Sequence, residues 1–194
     1  MKVFRQLLAN VLITSVMSYF IWFALTFWVY LETRSVVATS VLGGSFGVFA
    51  AVSGMYFGTY VDHNRKHRVM VVASVWSLAL YSAAGGLYLL VDREELLALS
   101  HPAFWVFVAL LMGGTIPGAL RGIALSTTVS LLVEEGRRDR ANGMIGTVMG
   151  VSMAFTTVLS GLVIGRLGMG WAVAATLVAL AGALVHLVAV RVEE

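Results

Sequence analysis

Arg121 stands alone in its surroundings. It is the one Lys, Arg, Asp or Glu well inside a long apolar stretch, LLMGGTIPGALRGIALSTTVSLL. Placing such a charge at mid-membrane costs about 2.5–3.5 kcal/mol on insertion scales, so intramembrane cations face a cavity or carry ions, protons or substrates. The other reading is an Arg that snorkels to the surface from a long tilted helix. No apolar stretch supplies a carboxylate to pair with it. A second constellation lies near the start. Asn10, Thr14, Ser18, Trp22 and Thr26 recur every four residues, with Tyr19 beside them. This is a slowly turning stripe along one helix. It lines a polar pathway, or its hydroxyls and amide bind neighbouring helices together. A third is the run GTYVDHNRKHRVM at 58–70, where Asp62 to Arg68 hold one acid, three Lys/Arg and two His.

Other chemistry is missing. There is no cysteine, so neither a disulfide framework nor a thiolate metal site can form. Zinc-protease and phosphate-loop patterns do not occur. No enzyme, metal site or cofactor is expected. The basic segments are short and lie between apolar stretches, so nucleic acid is not an expected partner.

These groups need elements to hold them. Of the 194 residues, 59% are hydrophobic and 12% charged, far from the soluble norm and within the membrane class. A spanning helix needs about 20 mostly apolar residues. Six stretches qualify, at 7–30, 36–61, 69–91, 103–132, 144–164 and 171–190. They predict an all-α membrane protein, one six-span bundle over 1–194. The fourth stretch is long enough to tilt, and Pro117 within it predicts a kink. The start is read as a retained first span. Its apolar run is too long for a signal peptide and ends in no small-x-small site.

Charge sets an expected orientation. With the N-terminus inside, the inner segments carry Lys2, Arg5, Arg65, Lys66, Arg68, Arg137, Arg138, Arg140 and Arg191, and the outer loops carry Arg34, Arg93 and Arg166. Nine against three places both termini in the cytoplasm, with the bilayer as the first partner. Trp22, Phe23, Phe27, Trp28 and Tyr30 crowd the outer part of span one, where aromatic anchors belong.

The chain also resembles itself. At an offset of 107 residues, GGSFGVFAAVSGMYFG lies over GVSMAFTTVLSGLVIG, aligning Gly43, Ser53, Gly54 and Gly58 with Gly150, Ser160, Gly161 and Gly165. Two inverted three-helix repeats would produce this, a plan common in transporters; the other reading is a chance match of small residues in helices. Gly54, Gly146, Gly150, Gly161 and Gly165 are expected to pack helices closely. His186, in span six, is expected to be packed and neutral; the alternative is a proton relay.

On these residues the chain resembles the major facilitator superfamily. Its loop motif between spans two and three is G-x-x-x-D-R-x-G-R-[RK]. Gly58, Asp62 and the basic Lys66 match; His63, Arg65 and His67 depart. The same loop, and LRGIALSTTVSLLVEEGRRDRANGMIG, look like the drug- and macrolide-efflux branch. The family's R-x-x-x-G motif in span four is matched by Arg121 alone, since GIALS follows. The family's Gly-Pro pair in span five is replaced by Ser160-Gly161.

The resemblance implies a secondary-active exporter of hydrophobic or amphipathic small molecules, working by alternating access in a cell membrane, as expected of a bacterial plasma-membrane protein. A whole member has twelve spans, so the chain looks like the N-terminal half, joined by a second six-helix half or a second copy. The alternatives are a truncated or split fragment without activity alone, or a half-transporter acting as a dimer. Gly58, Asp62, Arg65, Lys66 and Arg68 would form a conformational latch. Arg121 would serve coupling, and Asn10, Thr14, Ser18, Tyr19 and Trp22 the pathway.

Overall fold

A computed structural model describes residues 2–190, without the side chains at 2, 50 and 130–132. Arg191, counted above among the inner cations, lies outside the described residues. Every element among the described residues is helical: α1 (Lys2–Thr33), α2 (Val36–His63), α3 (Lys66–Leu90), α4 (Arg93–Leu97), α5 (Pro102–Thr115), α6 (Pro117–Leu132), a 3-10 turn at Glu135–Arg137, α7 (Arg138–Arg166) and α8 (Met169–Ala189). Among the described residues, six helices are long and apolar enough to cross a membrane, with α5 and α6 forming one span. Helices suit such a chain because each satisfies its own backbone polar groups where no water can.

The spans outrun the apolar stretches. α1 starts at Lys2 rather than 7, and α7 at Arg138 rather than 144, because polar ends continue the helix beyond the hydrocarbon core. Pro117 divides span four rather than bending one helix. It opens α6 at the first helical position, where its missing N–H costs least. The break is slight, since Ile116 keeps helical angles and still donates to Met112 O at 3.4 Å. The short α4 was not foreseen; five residues are too few to register as a span.

The connections are tight. At the α1–α2 corner Arg34 adopts a positive φ of 53°, and Ser35 caps α2 by accepting from Ala38 N at 3.1 Å. At the α7–α8 corner Gly168 takes φ 82° and donates to Val163 O at 3.1 Å. A left-handed residue closing a helix in this way is normally Gly. Arg93 Nη2 meets Glu32 Oε1 at 2.9 Å, joining the α1–α2 and α3–α5 corners at one end of the bundle. His67 Nε2 lies 2.9 Å from Leu187 O, joining the α2–α3 corner to the end of α8 at the other.

Packing is paired. α1 rests on α7 and α8, while span four rests on α2 and α3; α3 meets α8, and α1 meets span four. Exchanging the first three spans for the last three maps these principal contacts onto themselves. Two three-helix repeats produce that pattern. Two apolar clusters fill the interior. One holds Ile21, Leu25, Trp28, Tyr81, Phe104, Phe107 and Leu180. The other holds Phe4, Leu7, Val11, Met70, Leu125, Ile145 and Leu187. Between them on α1, α3 and span four lie Thr14, Ser18, Ser74, Ser77, Thr115 and Arg121, all buried. The bundle therefore carries a polar layer at half height.

Candidate functional site

The polar layer is built from hydroxyls on helices that are otherwise apolar. Most bind their own backbone: Ser74 Oγ donates to Met70 O at 2.9 Å, and Thr14 Oγ1 to Val11 O at 3.2 Å. Ser18 and Ser77 behave differently, because Arg121 reaches them. Its Nη1 donates to Ser77 Oγ and its Nη2 to Ser18 Oγ, both at 3.1 Å. Arg121 is 1% exposed, so the snorkelling alternative does not describe it. The guanidinium lies across the bundle, held between α1 and α3 by neutral oxygens. Among the described residues no carboxylate pairs with it.

Beside this layer is a cavity of about 690 Å³, walled by α1, α2, span four and α7. α3 and α8 contribute nothing to it, so it occupies the opposite face of the bundle. Its size falls in the range of drug-sized ligand sites, roughly 300–1,000 Å³. Trp22 and Phe46 stack across it with ring centroids 4.1 Å apart, linking α1 to α2. Phe23, Met149 and Met153 supply further apolar wall, and Ser15, Ser53, Ser126 and Thr127 supply hydroxyls. Among the described residues no lining side chain is acidic or basic. The cavity can hold an apolar body and hydrogen-bond a few polar groups on it.

The stripe on α1 is split. Ser18, Tyr19 and Trp22 line the cavity. Asn10 and Thr14 do not; both are fully buried. Asn10 Nδ2 donates to Ala183 O at 2.6 Å and lies 3.4 Å from His186 Nδ1, so it fastens α1 to α8. For Asn10 the binding-together alternative describes the geometry, and His186 has a neighbour that the sequence did not reveal. Asn10 Oδ1 is buried without a hydrogen-bond partner among the described residues, and the buried Tyr81 hydroxyl lies beside Ser18 and Arg121.

The glycines expected to pack helices mostly face open space within this chain. A Cβ added at Gly54, Gly146, Gly150 or Gly165 would meet nothing within 4 Å. Gly161 alone of that set has a neighbour, Phe27 at 3.6 Å. The close approaches are elsewhere. Gly114 lies against the Tyr81 ring, and Gly118 has Ser18 Oγ at 3.3 Å and Arg121 Nη2 at 3.6 Å from a built Cβ.

The loop at 58–70 forms a cap. His63 Nδ1 lies 2.8 Å from Thr59 O, Asn64 Nδ2 donates to Tyr60 O at 2.8 Å, and Lys66 Nζ donates to Asp62 O at 3.3 Å. These are the last carbonyls of α2, which favour such donors. Arg65 and Arg68 are exposed, Gly58 is half-buried, and a Cβ at Gly58 would meet nothing. Asp62 is exposed, and its carboxylate has no partner among the described residues.

Sequence reasoning missed the other half of the cavity. Phe46, Ser53, Ser126, Thr127, Met149 and Met153 all line it. Only their polarity could have given a signal: Ser126 and Thr127 follow Arg121 by little more than one turn of an apolar helix. Ser77, the partner of Arg121, was also missed.

No curated protein and no solved structure matches the chain. The family model described as Major Facilitator Superfamily matches residues 7–194, nearly the whole sequence. With six apolar helices and a cavity on one face of their bundle, the chain is an integral membrane protein and belongs to the Major Facilitator Superfamily.

Proposed function

We propose that the chain is one six-helix bundle of a two-bundle exporter of hydrophobic or amphipathic small molecules. The family makes membrane transport the coarse function. The observation that carries the finer reading is the cavity of about 690 Å³, aromatic and hydroxylated, on the face made by α1, α2, span four and α7. A second six-helix half, or a second copy of the chain, would cover that face. Rocking of the two bundles would then expose the cavity to each side of a cell membrane in turn. The sites chosen on this reading are Ser18, Tyr19 and Trp22 for contact with the cargo, Arg121 for charge, and Asp62 with Gly58 for the contact between bundles. Both termini would face the cytoplasm.

The test is made in the native cells. Removing the gene should raise accumulation of a hydrophobic fluorescent dye, and restoring it should lower accumulation again. Ala119→Trp should fail to restore it, because residue 119 is exposed on the cavity wall and an indole there occupies the space. Normal dye extrusion by that variant, or no change on removing the gene, would overturn the reading.

A further inference from the structure

We infer that the cavity selects amphipathic anions, with Arg121, directly behind the wall at Ser18, as the charge-recognising residue and Gly118 as the position that keeps that wall thin. The inference rests on the exporter reading of the cavity and names its substrate class. Three observations meet here. The first is charge. Arg121 keeps its proton in proteins, and its two hydrogen-bond partners, Ser77 and Ser18, are both neutral. A buried guanidinium held only by hydroxyls remains without a counter-charge, and low polarity around it strengthens its pull on any anion that arrives.

The second is access. Ser18 and Gly118 both line the cavity, and Arg121 Nη2 donates to Ser18 Oγ at 3.1 Å from directly behind them. A Cβ at residue 118 would lie 3.6 Å from that same Nη2 and 3.3 Å from Ser18 Oγ. The absent side chain keeps the wall thin here; Arg121 itself is 1% exposed and does not line the cavity, so an anion gains Nη2 by taking the place of Ser18 Oγ. The third is the rest of the wall. Among the described residues it holds no Asp or Glu, so a cationic amphiphile would find no partner there and would face an uncompensated positive charge. An anion would find a charged donor in Nη2 of the guanidinium, with the Trp22 and Phe46 rings for its apolar body. The chemistry recognised is a monoanionic head on an aromatic or aliphatic body.

The chain contains no cysteine, so a single Ser126→Cys thiol in the cavity wall is a clean reporter. The chain carrying it would be placed in bilayers of zwitterionic lipid, and its alkylation by a maleimide followed against three matched probes: 1-naphthoate, 1-naphthylmethanol and 1-naphthylmethylammonium. The expected order of protection is anion, then neutral, then cation, with the anion effective at roughly tenfold lower concentration than the neutral probe. Partitioning of the probes into lipid is common to all variants and cancels when their ratios are compared. Arg121→Gln should bring the anion-to-neutral ratio close to one. Gly118→Ala should do the same while the cation is still present, and it decides the matter if Arg121→Gln does not insert. An unchanged ratio in these variants, or strongest protection by the cation, overturns the charge selection and leaves the exporter reading standing. Failure of all three probes to protect the thiol overturns both.

Discussion

The ring of Tyr81 on α3 occupies the space that a side chain at residue 114 on α5 would need; a Cβ built on Gly114 would overlap it. Tyr81 is fully buried, in the cluster with Phe104, Phe107 and Leu111, so the ring has no free side to move toward. Gly114→Ala should therefore destabilise the bundle by roughly 1–3 kcal/mol, the usual cost of overpacking. Gly150→Ala should cost little, since its Cβ would meet nothing within 4 Å. Unfolding midpoints in detergent check both. Pairing Gly114→Ala with Tyr81→Ala should give a strongly non-additive result, because the second change removes the obstacle to the first. Simple additivity would mean that the two helices do not meet at this point.

How far the sequence could be read is clearest on α1. The length of its apolar run announced a span, and the same held for the other five. The faces were harder. Four residues on a helix advance about 40° beyond one full turn, so three such steps from Asn10 to Trp22 turn the stripe by about 120°. Its start therefore binds α8 while its end faces the cavity. Spacing alone gives no way to know where along that rotation the neighbour changes. Ser77 was illegible for a related reason. A hydroxyl in an apolar span looks the same whether it binds its own backbone, as Ser74 does, or a cation on another helix. Glycines are equally silent: Gly114 and Gly150 are alike in sequence, and only the fold shows which one another side chain approaches.

The orientation of the bundle is open to direct measurement. Glu32 and Arg93 meet at one end and His67 reaches Leu187 at the other. The excess of cations lies at the His67 end, which is expected to be cytoplasmic. Reporter fusions after Glu32 and Glu95 should read outside, and fusions after Arg68 and Asp139 inside. A cytoplasmic signal at Glu95 would overturn this arrangement.

Arg121 joins α6 to α1 and α3 through Ser18 and Ser77. Arg121→Ala should abolish transport in the assembled protein, measured as dye extrusion, while its abundance in the membrane stays near normal. Loss of a buried cation relieves a desolvation cost even as it removes two hydrogen bonds, so folding should suffer less than function. Arg121→Lys should recover part of the activity: charge is kept, but one ammonium cannot reproduce the planar fork that spans two oxygens. Full extrusion by the Ala variant would reduce Arg121 to a structural tie.

Asp62 closes α2 with an acid at the wrong end. Carbonyls accumulate at a helix C-terminus, and an anion there is disfavoured by roughly 0.3–1 kcal/mol. The surrounding donors do not offset this. Lys66 Nζ donates to the backbone oxygen of Asp62 and to Asn64 O at 3.1 Å, leaving the carboxylate exposed and without a partner among the described residues. One turn earlier, Gly58 leaves open space where a side chain would stand. Both features would make sense if another helix N-terminus docked here from a second bundle, presenting N–H donors and a positive dipole end. Such a contact is worth about 0.3–2 kcal/mol, enough to shift a two-state equilibrium by up to about thirtyfold. Asp62→Asn should then leave insertion intact, slow turnover and raise the share of protein open to the cytoplasm. Gly58→Leu should act in the same direction by holding the bundles apart, without a clash inside this chain. The six-span chain by itself should be indifferent to Asp62→Asn, because the receiving helix belongs to the partner. Alkylation of a single introduced cysteine in the cavity, with and without the second bundle, reads these populations. If Asp62→Asn leaves alkylation unaltered in the full assembly, the acid is no latch, and the loop does no more than cap α2 and orient it.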